Sequence, residues 1–139
     1  MEFTTSVDID APPERVWAVL ADVRRWPEWT ASMSRVELLE GGPLAVGSTV
    51  RVKQPRLRAE VWRVTEFEPG RSFVWVARGG GVTTEAAHRV EPASGGTRVT
   101  LGLRQRGPLA PLVRLVGGAL VRRYMGLEAA GLKRESEAG

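Results

Sequence analysis

His88 is the one histidine in a chain of 139 residues that contains no cysteine. It stands in VTTEAAHRVE, where Val82, Ala86, His88 and Val90 fall on one face of an alternating strand. An imidazole facing a protein interior is the side chain best suited to give or take a proton near neutral pH. Two readings are open. His88 serves a bound molecule, or it is a buried ring whose nitrogens are satisfied by a neighbouring hydroxyl or carbonyl. Tyr124, Thr84 and Arg63 add a phenol, a hydroxyl and a guanidinium, but no motif ties any of them to His88 as a nucleophile or partner base.

Other kinds of chemistry find little support. Without cysteine there is no disulfide, no thiolate zinc site and no thiol nucleophile. A lone histidine builds no imidazole cluster, and no spaced Asp/Glu loop of the calcium-binding kind is present. GGPLAVGS and ARGGGV lack the Lys-Ser/Thr ending or the GxGxxG spacing of phosphate-binding loops. The expectation is a protein that works without a metal or a cofactor.

The aromatic residues are more informative. WPEWT places Trp26 and Trp29 on either side of a proline, just after a short amphipathic helix. Two large rings in such a connection must pack against something or bind something. Trp62 and Val64 share a strand face, as do Phe73, Trp75 and Ala77. Arg63 and Phe67 take the opposite face of the first of these strands, which suggests a bulge near Glu66.

The elements that would position these residues follow from periodicity. Phe3, Thr5, Val7 and Ile9 alternate with Glu2, Thr4, Ser6 and Asp8 as a half-buried strand. Pro12-Pro13 opens a helix, where missing N–H groups cost nothing, and Val16, Val19, Leu20 and Val23 form its apolar stripe. Asp22 is placed to cap a second short helix carrying Trp26 and Trp29. SRVELLE, STVRVKQ, AEVWRVTEFE, RSFVWVARG, VTTEAAHRVE and TRVTLGLRQR then read as strands joined by short turns, which is an antiparallel meander.

A long helix ends the chain. Leu112, Val113, Val116, Leu120, Tyr124 and Leu127 recur at three- and four-residue spacing and are expected to face the sheet. Gly117-Gly118 interrupts it, which suggests a bend or a close approach to its backbone. Residues 132–139 are expected to fray. The expected fold is α+β: a curved seven-stranded antiparallel sheet gripping the C-terminal helix, with two short helices after the first strand, as a single domain over residues 1–139.

Composition limits the partners. Hydrophobic residues make up 42% and charged residues 26%, an ordinary globular balance, and no apolar run reaches the ~20 residues of a membrane span. MEFTTSVDID lacks the basic-then-apolar pattern of a secretory signal, so a cytoplasmic location is expected. The net charge of +4 is carried almost wholly by arginines dispersed among acids, which argues against a specific nucleic-acid partner.

APPERVWAVLADVRRWPEW, VTEFEPGRSFVW, HRVEPASGGTRVT and the RGPLAPL lead-in to the last helix together resemble the START-like (SRPBCC) superfamily, and within it the bacterial polyketide cyclase/dehydrase branch. The resemblance spans nearly the whole chain and implies a helix-grip fold around an apolar cavity. It implies a small hydrophobic ligand, such as a lipid, polyketide or isoprenoid-like molecule. It leaves three activities open: a carrier or sensor, a cyclase or aromatase that positions a poly-keto chain, and a membrane-surface or partner module using the cationic last helix with Arg114, Arg122, Arg123, Lys133 and Arg134. The expected lining is Trp29, Trp62, Trp75, His88, Leu101, Leu103, Leu120 and Tyr124, in a monomer or homodimer, with at most weak contact to anionic membranes.

Overall fold

A computed structural model describes residues 2–138. Strand β1 (Glu2–Ile9) leads into helix α1 (Pro13–Ala21), then through a single 3₁₀ turn (Val23–Arg25) into the short helix α2 (Trp26–Trp29). Strands β2 (Arg35–Leu38), β3 (Thr49–Lys53), β4 (Glu60–Glu68), β5 (Ser72–Gly79), β6 (Val82–Ala93) and β7 (Gly96–Arg106) follow, and helix α3 (Ala110–Ala138) ends the chain. The strands form one antiparallel sheet in the order β1-β7-β6-β5-β4-β3-β2, so the first strand closes one edge beside the last. This is the helix-grip arrangement that the alternation predicts.

Local chemistry accounts for each element. Pro13 sits in the first turn of α1 with Glu14 at the positive end of the helix dipole, and Val16, Val19 and Leu20 are buried below it. Asp22 stands at the junction of α1 and the 3₁₀ turn, but its side chain makes no capping hydrogen bond. The expected irregularity in β4 lies between Val64 and Glu66, where the register against β5 shifts by one residue. That bulge brings Phe67 opposite Phe73, so both rings pack toward Trp17.

Helix α3 departs from the sequence reading in three ways. It continues to Ala138 rather than fraying from residue 132, with Leu132 and Ser136 buried; Gly139 lies outside the described residues. Two contacts tie this end down: the Lys133 ammonium donates to the Asp8 carbonyl, and the Asp10 N–H donates to the Glu137 carboxylate. At the other end the expected inward stripe is largely outside, with Leu112 56% and Val116 81% exposed. The helix packs chiefly on β1, α1 and α2, so its first turns are held away from strands β3 to β6.

The third difference concerns glycine. A Cβ on Gly117 would meet no atom within 4 Å, and one on Gly118 would make only ordinary contacts. The close approach occurs instead at Gly131, where a Cβ would run into the Trp29 carbonyl oxygen. Only a residue without a side chain lets α3 lie against α2 there.

Candidate functional site

Where α3 stands off the sheet, a cavity of about 390 Å³ opens between them. Its inner wall comes from alternate residues of adjacent strands: Trp62 on β4, Trp75 and Ala77 on β5, Ala86 and His88 on β6, Leu101 and Leu103 on β7. Helix α3 supplies Leu120, Tyr124 and Glu128. The β3–β4 loop forms one lip through Leu57, and the Tyr124 hydroxyl donates to the Pro55 carbonyl, tying that lip to α3. Small residues at Ala77, Ala86 and Gly117 leave the space that larger side chains would fill.

Of the eight side chains expected to line a cavity, the structure sets seven around this one: Trp62, Trp75, His88, Leu101, Leu103, Leu120 and Tyr124. Trp29 is the exception. It packs against Trp26 with ring centroids 5.6 Å apart and planes tilted by 54°, beneath α3, and the Arg134 guanidinium donates to its carbonyl. Trp26 is fully buried, its indole N–H donating to the Leu20 carbonyl at 2.9 Å. The two rings thus form the plug that closes one end of the sheet. Arg63 points away from the cavity and is exposed, whereas Thr84 lines it.

The polar groups gather deep in this apolar space. His88 stacks on its cross-strand neighbour Phe73, with ring centroids 4.1 Å apart, and Trp26 and Trp75 enclose it further. Its Nδ1 lies 3.3 Å from the Phe73 carbonyl oxygen. A carbonyl only accepts, so Nδ1 carries the proton and Nε2 presents a lone pair. Burial among these rings pulls the imidazole pKa down to about 4, so His88 is neutral at pH 7.

Glu128, one turn along α3 from Tyr124, faces His88 across the cavity with Oε2 3.9 Å from Nε2. Burial pushes its carboxyl pKa up to about 8, so at pH 7 the acid is mostly protonated and the contact joins two neutral groups. At 3.9 Å the pair is beyond hydrogen-bond reach. An O–H donor and a nitrogen lone pair therefore face the same space. Gln105 adds a third group, its Oε1 buried and without a hydrogen-bond partner among the described residues. Sequence alternation places Gln105 beyond Leu101 and Leu103 on the inward face of β7. Glu128 gave no such signal, because only the tertiary packing of α3 sets it opposite His88.

The whole chain compares well with known proteins. A family model described as polyketide cyclase/dehydrase and lipid transport matches residues 1–137. An uncharacterized protein of Mycobacterium tuberculosis (strain H37Rv), Rv2574, is 30% identical over 118 residues, covering 78% of this chain and 69% of its own. Among solved structures, TTHA0849 of Thermus thermophilus superposes with a TM-score of 0.79 at 19% identity, over 99% of this chain and 98% of that one. The Zhui aromatase/cyclase of Streptomyces sp. R1128 gives 0.77 at 19% identity, over 99% and 93%. At these identities the structural neighbours establish the fold alone, a curved sheet gripping one long helix as seen here. The family model is matched from the first strand almost to the end of that helix, and the chain belongs to the polyketide cyclase/dehydrase and lipid transport family.

Proposed function

We propose that this protein binds one small, largely apolar and uncharged molecule in the cavity between α3 and the sheet, and that the molecule carries a hydroxyl or keto group at its buried end. The observation that supports this is the contrast within the cavity. Its walls are Trp62, Trp75, Leu101, Leu103 and Leu120, while Glu128, His88 and Gln105 supply a donor and two acceptors. A carboxylate at the buried end would meet a protonated acid and a neutral imidazole, neither of which offers a positive charge, and the arginine of the lining, Arg58, belongs to the β3–β4 loop at the lip. The test is titration with the uncharged apolar fluorophore N-phenyl-1-naphthylamine. Saturable binding with quenching of tryptophan emission supports the reading, and competition by neutral keto or hydroxylated polycycles but not by fatty acids supports its polar component.

A second reading is turnover by positioning and proton transfer, as a cyclase or aromatase would need. The His88–Glu128 geometry favours it, because a ligand oxygen between them would have an acid on one side and a base on the other. Deuterium exchange at the acidic carbon of a bound apolar β-diketone tests this reading. Exchange accelerated by the protein and lost in Glu128→Gln supports it; exchange at the rate of free solution overturns it and leaves the binding reading standing.

A further inference from the structure

The end of the molecule that carries the cavity mouth also carries its largest exposed apolar side chains. On α3, Leu112, Leu115 and Val116 are 56%, 83% and 81% exposed, Leu109 just before the helix is 44% exposed, and Leu57 on the β3–β4 lip is 42% exposed. Leu112 and Val116 share a helix face, and Arg123 follows two turns later on the same face, also exposed. Apolar groups clustered in this way mark a contact surface.

The fold adds charge to that surface. Arginines that are dispersed in sequence meet at one end because the antiparallel order brings the end of β5, the end of β7 and the β3–β4 loop together. Arg78, Arg106 and Arg58 stand there, all exposed, and with Arg123 they take part in no ion pair among the described residues. Glu60 lies on the same rim, and burial raises its carboxyl pKa. Asp8, Asp10, Glu68, Glu91 and Glu137 gather at the opposite end. Arg98 and Lys133 stand at that end too and pair with Asp8 and Glu137, so it is of mixed charge, whereas Arg58, Arg78, Arg106 and Arg123 at the mouth have no ion-pair partner among the described residues.

We propose that this end docks on an anionic lipid bilayer, with Leu112, Leu115 and Val116 entering the headgroup–acyl boundary and the arginines resting among the phosphates. A bilayer is layered in the same order: negative charge outside and hydrocarbon beneath. A second copy of the chain docking through this face would bring two cationic rims together, and a nucleic acid would press the leucines against phosphates. The docking places the cavity mouth against the membrane, but it stands whatever the cavity holds.

The absence of cysteine from the sequence makes the test direct. Leu115→Cys and, at the opposite end, Glu91→Cys are each labelled with the environment-sensitive dye NBD. They are mixed with phosphatidylcholine vesicles with and without phosphatidylglycerol. The expected result is a blue shift at position 115 on anionic vesicles only, reversed by salt, and none at position 91. Arg123→Gln should weaken the association roughly fivefold, and Leu115→Ser/Val116→Ser should abolish insertion while leaving the circular dichroism unchanged. Absence of a shift at 115 overturns the proposal. So does an equal shift at both positions, salt-dependent binding to duplex DNA that matches the vesicle binding, or a blue shift without lipid that tracks dimer formation.

Discussion

The Nε2 of His88 and the Oε2 of Glu128 face each other at 3.9 Å inside an apolar cavity, each shifted by burial toward its neutral form. The two groups belong to a strand and a helix forty residues apart. Among the described residues neither has another charged partner, and that leaves both available to a ligand.

The first prediction concerns pH. The folded pKa of Glu128 is raised to about 8 from an ordinary 4.5, so its contribution to stability is complete below pH 4.5 and is lost as pH rises through 8. The folded pKa of His88 is lowered to about 4 from 6.5, so its contribution is present above 6.5 and is lost as pH falls toward 4. Between pH 6.5 and 8 the Glu128 effect dominates, and stability should fall by about 1 kcal/mol. Urea unfolding across that range should show the decline in the wild type and a nearly flat profile in Glu128→Gln.

Gly131 and Gly117 should respond oppositely to the same change. Gly131→Ala forces a Cβ onto the Trp29 carbonyl oxygen and should cost about 3 kcal/mol or more. Gly117→Ala has open space and should gain about 1 kcal/mol from helix propensity. Thermal melts of the two variants measure this directly.

Gln105 is the third buried polar group of the cavity. Its Oε1 lacks a partner among the described residues, so Gln105→Leu removes an unsatisfied acceptor and should stabilise the protein by about 1 kcal/mol. The same change should weaken binding of hydroxylated ligands more than that of their hydrocarbon analogues, as isothermal titration would register.

Much of this was legible in the residues. Alternation located all of the strands, and the inward faces of β4 to β7 follow from Trp62, Trp75, His88 and Leu101. The misread parts have one physical origin. Leu112 and Val116 carry helical spacing like any core stripe, yet they are exposed because the first half of α3 buries Ala110 and Gly118 instead, the latter against Phe3 of β1. Periodicity reports which side chains share a face, not whether a partner reaches that face. For the same reason the residues left Trp29 open between a cavity wall and a plug, and it is a plug under α3, while Glu128 passed as one more polar helix residue. The arginines seemed scattered because only strand order brings Arg58, Arg78 and Arg106 to one rim.

A cavity that holds a molecule is the central claim. Native mass spectrometry of the purified wild type and of Leu103→Trp, followed by organic extraction, tests it most directly, because a tryptophan at that cavity-lining position takes up the space. The prediction is a neutral, apolar, oxygen-bearing molecule bound one-to-one to the wild type, or taken up on addition of a neutral polycycle, and absent from the folded variant. A wild type that stays empty with every apolar compound offered, or a Leu103→Trp variant that binds just as well, would contradict it.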